Sequence, residues 1–174
     1  IHGGAHAIKI EGGAKRVETI KALVAAEIPV VGHIGLTPQS ILSLGTYGVA
    51  GKHFEDARTV LDDAHKVVDA GASMLVVECV PDGLSRTITE ELDVAVIGIG
   101  AGRHVDGQVL VMHDLLGIKD PSRKAAKFVR EYANVEQIAI DAVSKYASDV
   151  KSGAFPTSEE TYHMSDDLEQ YLKS

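Results

Sequence analysis

The chain has 174 residues, of which 45% are hydrophobic, enough to bury one sizeable core of ordinary domain size. Seventeen basic residues against 25 acidic ones give a net charge of −8 without a Lys/Arg cluster, which argues against a nucleic-acid partner. No apolar run approaches the about 20 residues of a membrane span, and the single cysteine, Cys79, excludes an internal disulfide, so we expect a cytoplasmic protein with no membrane contact.

Four apolar, β-branched runs alternate with longer segments of helical period, the pattern of βα units around a parallel sheet. We predict strands at Ala7–Glu11, Pro29–Ile34, Ser73–Cys79 and Ala95–Gly100. Because these runs are continuously apolar, we expect both faces of the sheet to be covered.

The segments between the strands predict covering helices. Lys15–Ala26 and Phe54–Ala70 each carry one apolar stripe, and Gly71 follows the second as a helix stop. Gly107–Leu116 fits either a strand or a helix. We favour a strand that consists of Gln108–His113.

The C-terminal part predicts two helices and an arm. One helix runs from Asp120 to Tyr132, and Asn134 can cap a second that ends near Gly153. The acidic tail, residues 155–174, predicts an arm with a short helix from Ser165. We expect a single domain over residues 1–174, and the missing initiator Met predicts that the gene product begins earlier.

Each predicted strand ends in polar residues or glycines, and the carboxyl ends of parallel strands are where ligands bind in α/β proteins. These strand ends are Lys9–Gly13, Gly32–Gly35, Val77–Pro81 and Gly98–Gly102. The irregular, glycine-containing insert Leu36–His53 follows the second strand, which makes it a candidate active-site loop.

Glu78 is the leading candidate for a catalytic group. It directly follows a buried apolar run, where burial of a carboxylate is costly unless the group is paired or protonated. Partial removal from water makes a carboxylate a better general base. The alternative is a structural role, in which Glu78 caps a helix or pairs with a core Arg.

Lys9, Glu11 and His33 are the candidate ligand-binding residues. Lys9 and Glu11 lie two apart and share one face of a strand, where Lys can hold a carboxylate and Glu can bind Mg²⁺, or the two can form a structural ion pair. His33 can donate to a substrate oxygen or be a satisfied core histidine.

Other candidate motifs are weaker. Gly98–Gly102 does not match the dinucleotide fingerprint, so its glycines predict close backbone approach to a ligand or strand. Cys79 is interpreted as a packed thiol. His104, Asp106 and His113 match no zinc spacing and are interpreted as loop and packing residues.

Several motifs, in order and spacing, resemble the ketopantoate hydroxymethyltransferase family over residues 3 to about 164. They are KIEGG (9–13), GHIGLTPQS (32–40), LVVECVP (75–81), VIGIGAG (96–102), DGQVLVMHDLLG (106–117) and SGAFPTSEETYHM (152–164). The resemblance implies a (βα)₈ TIM barrel, of which this chain has roughly strands four to eight plus C-terminal helices, in a homo-oligomer, commonly a decamer.

The resemblance also implies the reaction and the site. A hydroxymethyl group passes from 5,10-methylenetetrahydrofolate to 3-methyl-2-oxobutanoate through a Mg²⁺-stabilised enolate, giving ketopantoate (2-dehydropantoate) for coenzyme A synthesis. Glu78 matches the catalytic base, Lys9 the substrate-binding lysine, Glu11 the metal-associated acid and His33 a histidine near the substrate.

The resemblance also implies that the sequence begins just before the family's fourth strand, so that the first three strands, which carry the family's two principal metal-binding aspartates, are not part of it. Two alternatives to the hydroxymethyltransferase remain open. One is another Mg²⁺-dependent 2-oxo-acid lyase or mutase of the phosphoenolpyruvate/pyruvate group of barrels, which dependence on a folate donor would exclude. The other is a truncated, non-catalytic remnant, which Mg²⁺-dependent binding of the 2-oxo acid would argue against.

Overall fold

The computed structural model describes residues 3–40, 48–119, 122 and 124–173. These residues group into two compact units. The first consists of Ile1–Val111 with Ala125–Val129, and the second of Met112–Lys124 with Arg130–Ser174. The single domain over residues 1–174 and the C-terminal arm stay predictions.

The first unit is a parallel α/β structure. Its described elements, in chain order, are β1 (Ile8–Glu11), a 3₁₀ turn (Ala14–Arg16), α1 (Val17–Ala25), β2 (Val30–Gly35), a 3₁₀ turn (Pro38–Ser40), α2 (Phe54–Asp69), β3 (Met74–Glu78), α3 (Asp82–Glu91), β4 (Ala95–Ile99) and β5 (Gly107–Gln108). The five strands form one sheet in the order β1-β2-β3-β4-β5, with every neighbouring pair parallel. The four predicted strands are confirmed, each end within one residue.

One face of this sheet carries the core of the unit. Alternate strand residues on that face are fully buried, and they pack in one cluster with residues of α1, α2 and α3. The strand residues are Val30, Ile34, Leu75, Val77 and Val96, and the helix residues include Ile20, Val67 and Ile88. Leu75 and Val77 are buried because α2 and α3 cover this face. The predicted apolar stripe of α2 is confirmed at Val60, Ala64 and Val67, which are buried, but is wrong at Phe54, which is 80% exposed.

The opposite face of the sheet is less covered. Met74, Val76 and Ile97 on that face are only partly buried, and Lys9 is exposed. The expectation that both faces of the sheet are covered is therefore wrong for the part of the chain described. Continuous apolar runs also occur in strands that are buried on one face and half-buried on the other. The glycines of β2 fit this arrangement, because a Cβ at Gly32 would lie 2.3 Å from Val67 Cγ1 of α2.

Two further expectations need correction. The strand predicted over Gln108–His113 is short, because after Val109 donates to the Gly98 carbonyl the chain turns into a helix, α4 (Met112–Leu115). α3, which joins β3 to β4, is an element that the sequence analysis does not predict.

The helix predicted from Asp120 to Tyr132 is wrong where the structure describes it: residue 122 and residues 124–132 are turns, a bend and chain without regular secondary structure. Although the sequence has a helical period there, contacts with residues distant in the sequence hold this segment in another conformation. The Phe128 ring lies beside Gly100, where an added Cβ would be 2.6 Å from it, and the Tyr132 amide donates to the Leu115 carbonyl at 2.9 Å. Residues 120, 121 and 123 lie outside the described residues.

The second unit contains α4, α5 (Val135–Ser152), a 3₁₀ turn (Ser158–Glu160) and α6 (Asp166–Lys173). The predicted caps of α5 are confirmed: the Asn134 side chain accepts from the Gln137 amide, and Gly153 adopts the left-handed conformation that ends the helix. The short helix predicted from Ser165 is confirmed as α6. Among the described residues, no helix is both long enough and apolar enough to cross a membrane.

Candidate functional site

Three neighbouring strands bring four predicted site residues onto one face of the sheet. Glu11 of β1 is in register with His33 of β2, and Gly35 of β2 is in register with Glu78 of β3. Because partners in a parallel ladder, and residues two apart, point to the same side, Lys9, Glu11, His33 and Glu78 share the face opposite the helices. The predicted shared face of Lys9 and Glu11 is thus confirmed.

Lys9, Glu11 and His33 form a contact cluster. Lys9 Nζ lies 3.2 Å from His33 Nδ1 and 3.9 Å from Glu11 Oε1, and Glu11 Oε1 lies 3.6 Å from the same ring nitrogen. His33 is buried, the Glu11 side chain is 10% exposed and the Lys9 side chain is 49% exposed. The half-exposed Lys9 side chain thus contacts a buried imidazole, and a lysine in such a position can bind an anionic ligand.

Glu78 lies on the other side of His33. Its Oε2 atom is 3.1 Å from His33 Nε2, and its side chain is 13% exposed. The Nε2 atom is buried and has no hydrogen-bond partner among the described residues, so the nearby carboxylate oxygen lies off the direction that a ring N–H requires. The imidazole therefore stands between two carboxylates that come from different strands.

The backbone holds Glu78 closely. Its carbonyl accepts from the Leu36 amide at 2.9 Å, and the next amide, that of Cys79, donates to the Ile99 carbonyl at 2.8 Å. Gly35 adopts a φ of +85°, and a Cβ added there would lie 2.2 Å from the Glu78 carbonyl oxygen. Only glycine fits this close approach of β2 to the end of β3.

Glu11 is fixed by groups that the sequence analysis misses. Its Oε2 atom accepts from the Gln39 amide at 3.0 Å, and its carbonyl accepts from Arg16 Nε at 3.1 Å. The loop that follows is held by Asp63 of α2, whose carboxylate accepts from the Ala14 amide at 2.7 Å. Gln39 lies 28 positions from Glu11 in the sequence, and Asp63 lies 49 positions from Ala14. No local sequence pattern predicts pairs so far apart.

Cys79 is a packed thiol, as the sequence predicts. It is 8% exposed and takes a φ of +50°, which is unusual for a residue with a side chain. Burial, and secondly the negative charge of Glu78, raise the pKa of the Cys79 thiol above its ordinary value. A raised pKa keeps the thiol protonated and makes it a poor nucleophile.

The glycines at the end of β4 and directly after it lie close to protein side chains. A Cβ at Gly98 would be 2.9 Å from Val105, one at Gly100 would meet the Phe128 ring, and one at Gly102 would be 2.4 Å from Asp82 Cβ. The close approach predicted for Gly98–Gly102 is present, but the neighbours are side chains rather than a strand.

His104 and Asp106, which follow β4, each contact another residue of the first unit. His104 Nε2 lies 2.6 Å from Arg86 Nη2, and the Asp106 carboxylate accepts from the Val96 amide at 2.8 Å. His113 lies in α4. Across the part of the chain that is described, no group of three or more His, Cys, Asp or Glu side chains is placed to hold a metal ion. Of the candidate loop Leu36–His53, residues 41–47 lie outside the described residues.

Comparison with known proteins gives a family match over most of the chain. The family model described as ketopantoate hydroxymethyltransferase matches residues 1–158. The chain is 49% identical to 3-methyl-2-oxobutanoate hydroxymethyltransferase 2 of Bradyrhizobium diazoefficiens, over 95% of this chain and 56% of that protein. It is 51% identical to the 3-methyl-2-oxobutanoate hydroxymethyltransferase of Geobacter sulfurreducens, over 89% of this chain and 57% of that protein. The chain thus spans little more than half the length of these relatives.

Proposed function

Because this chain belongs to the ketopantoate hydroxymethyltransferase family, we propose that it provides the base and the substrate contacts for one-carbon transfer to a 2-oxo acid. The hydroxymethyl group comes from 5,10-methylenetetrahydrofolate, the acceptor is 3-methyl-2-oxobutanoate, and the product is 2-dehydropantoate. The observation that carries this proposal is the cluster of Lys9, Glu11, His33 and Glu78 at the carboxyl ends of three parallel strands.

Glu78 is the proposed base. Its carboxylate is largely removed from water, its carbonyl is fixed by the Leu36 amide, and it faces the same side of the sheet as Lys9. Glu78 takes the C3 proton of the 2-oxo acid, and the C3–H electron pair passes into the enolate. The enolate carbon bonds to the methylene carbon of the folate as one C–N bond to that carbon breaks, with its electron pair left on the nitrogen. Water then replaces the remaining C–N bond, which gives the hydroxymethyl group and releases tetrahydrofolate. A positioned carboxylate of this kind contributes roughly 10²–10⁴-fold to such a proton transfer.

Lys9 is the proposed substrate contact. Its side chain is half exposed, and one ammonium group can donate three hydrogen bonds. It binds the carboxylate of the 2-oxo acid, while the contact with His33 Nδ1 at 3.2 Å holds the lysine side chain over the face that carries Glu78.

The chemistry of Glu11 fits one ligand of a Mg²⁺ ion. Mg²⁺ takes oxygen ligands. Oε2 of Glu11 accepts from the Gln39 amide, whereas Oε1 lies 3.6 Å from His33 Nδ1 and 3.9 Å from Lys9 Nζ, beyond hydrogen-bonding distance of both. One carboxylate is not a complete site, so the remaining ligands are proposed to come from outside this chain. When bound, Mg²⁺ would polarise the keto oxygen and favour loss of the C3 proton.

We propose further that β1–β5 are strands four to eight of a closed (βα)₈ barrel in a cytoplasmic homo-oligomer, a decamer as in the family. Two observations support the barrel. β1 and β5 each have one partner strand among the described residues, and the relatives have additional length beyond the region matched. Closure of the sheet would also cover the half-buried face that carries the site.

The experiment follows loss of the C3 proton of 3-methyl-2-oxobutanoate by NMR in heavy water, with Mg²⁺ and the 174-residue chain. Exchange is expected for the wild type and is expected to fall by about 100-fold or more in Glu78→Gln. Glu90→Gln, an exposed change on α3, is the matched control and should exchange normally. A folded wild-type chain that exchanges no proton would overturn the proposal for this chain.

A second step tests the one-carbon donor. With 5,10-methylenetetrahydrofolate added, the same sample should form 2-dehydropantoate, and the product should be absent when the folate is omitted. Proton exchange without any folate-dependent product would identify a different 2-oxo-acid enzyme.

A further inference from the structure

The residue that follows Glu78 has a backbone conformation that residues with side chains rarely adopt. Cys79 takes a φ of +50°, which lies in the left-handed region that glycine favours. Such a residue is strained, and it persists only where the surrounding structure fixes the backbone on both sides of it. Strained residues of this kind cluster at functional sites. Cys79 fits this pattern, because it comes directly after the proposed base at the end of β3.

Hydrogen bonds from three other segments fix the backbone around Cys79. The Glu78 carbonyl accepts from the Leu36 amide at 2.9 Å. The Cys79 amide donates to the Ile99 carbonyl at 2.8 Å, and the Cys79 carbonyl accepts from the Ala50 amide at 2.9 Å. Leu36 follows β2, Ile99 ends β4 and Ala50 precedes α2. These bonds orient both peptide groups that flank the α-carbon of residue 79, and so they hold the left-handed conformation.

The left-handed residue also changes where the next side chain lies. In a strand that continued regularly, Val80 would lie on the same face as Glu78, because residues two apart share a face. Val80 is instead 3% exposed and packs in the hydrophobic cluster of the core. The turn at Cys79 therefore takes an apolar side chain away from the face of the sheet that carries the Glu78 carboxylate.

We propose that Cys79 is a positioning residue whose left-handed backbone, rather than its thiol, holds the Glu78 carboxylate at the site and keeps Val80 away from it. The catalytic consequence rests on the proposed function of Glu78. A residue that resists a positive φ would rotate the peptide group between residues 78 and 79 and displace the carboxylate. Lys9, the proposed substrate contact, lies on β1 and would keep its place.

Two variants that differ by one methyl group test this role. Serine replaces the sulfur of Cys79 by oxygen, whereas threonine adds a methyl group at Cβ, and β-branched residues are outliers at a positive φ. In the C3 proton-exchange assay we expect Cys79→Thr to have a kcat at least about 10-fold below that of Cys79→Ser, with a similar KM, because small displacements of a reacting group are costly. Equal kcat values in the two variants overturn the proposal.

A glycine variant separates the backbone conformation from side-chain packing. Cys79→Gly removes the whole side chain, but glycine adopts the left-handed conformation without strain. We expect its kcat to be at least about 10-fold above that of Cys79→Thr. A kcat as low in Cys79→Gly as in Cys79→Thr would mean that packing of the side chain matters rather than the backbone, and it overturns the proposal.

Glu27 provides a matched control for the strain itself. Among the described residues, it is the other one that has a side chain and a positive φ, which is +60°. It precedes β2 and so lies at the end of the parallel sheet opposite to Glu78. We expect Glu27→Thr to make the chain less stable towards urea without changing kcat. A similar loss of kcat in Glu27→Thr and Cys79→Thr would come from general destabilisation, and it overturns the positioning role.

Amide hydrogen exchange, followed by NMR, tests the backbone without requiring activity. The Leu36 and Ala50 amides donate to the carbonyls on either side of the Cys79 α-carbon, whereas the Gly12 amide donates to the His33 carbonyl. In Cys79→Thr we expect exchange at Leu36 and Ala50 to accelerate by at least about 10-fold relative to Gly12. Equal acceleration at all three amides, or none, overturns the proposal. A folded wild type that exchanges no C3 proton overturns the proposed function instead, and amide exchange still decides whether residue 79 fixes the backbone.

Discussion

Val76 and Val77 are adjacent on β3 and point to opposite faces of the sheet, so Val→Ala at each position measures how well each face is covered. Val77 is 0% exposed on the helix-covered face, whereas Val76 is only partly buried on the face that carries the site. The two substitutions remove identical groups from the same strand. Any difference in the free energy of unfolding therefore comes from the environment.

The magnitudes follow from burial. Val→Ala deletes two carbon groups, worth about 0.8 kcal/mol each when fully buried, and a cavity among close-packed neighbours adds to the loss. We expect Val77→Ala to cost about 2–3 kcal/mol. For Val76→Ala we expect about 1 kcal/mol or less, because the side chain is already partly in contact with water.

Urea unfolding followed by circular dichroism gives both values, provided that the slope with denaturant is the same in the two variants. Equal costs, or a larger cost at Val76, would refute the conclusion that the site face is the less covered one. That result would mean that another surface packs over Lys9, His33 and Glu78 in solution. Size-exclusion chromatography of the same samples would then reveal whether the surface belongs to a second copy of the chain.

Three further predictions concern single groups. Gly35→Ala should lower the free energy of unfolding by more than about 1 kcal/mol, because a residue with a Cβ is strained at a φ of +85° and this Cβ would lie 2.2 Å from the Glu78 carbonyl oxygen. Urea unfolding measures the change, and an unchanged midpoint would contradict the prediction. Cys79 should react with iodoacetamide more slowly in the folded chain than in urea, and the half-maximal rate should occur at a higher pH, because burial raises the pKa of the thiol. Hydrogen bonds from the backbone and, secondly, the side chain of Thr157 lower the pKa of Glu160, so this cap stabilises the turn above the ordinary glutamate pKa and is lost as the pH falls through the lowered value. Thr157→Ala removes only the side-chain donor and should raise the pKa of Glu160 part of the way in an NMR titration, and an unchanged pKa would refute the side-chain contribution.

The strands of the sheet were predictable because their signal is local. Runs such as Met74–Glu78 are apolar, β-branched and followed by turn residues, and these features lie within a few positions of one another. The caps of α5 are local in the same way, since Asn134 acts on an amide three positions away. The segment ending at Tyr132 was mispredicted because its amide pairs with Leu115 and Phe128 packs at Gly100, and a local helical period carries no record of either contact.

The sequence by itself determined the residue types of the candidate site and their positions at strand ends, so that Lys9, Glu11, His33 and Glu78 could be named from the pattern of βα units. Only the tertiary structure decided how they meet. The parallel register joins residues 11, 33 and 78 at one edge, and the ring of His33 takes its two neighbours from two other strands. The physical reason is that strand propensity and hydrophobic period act over a few residues, whereas register and side-chain contacts arise when the sheet packs against its helices.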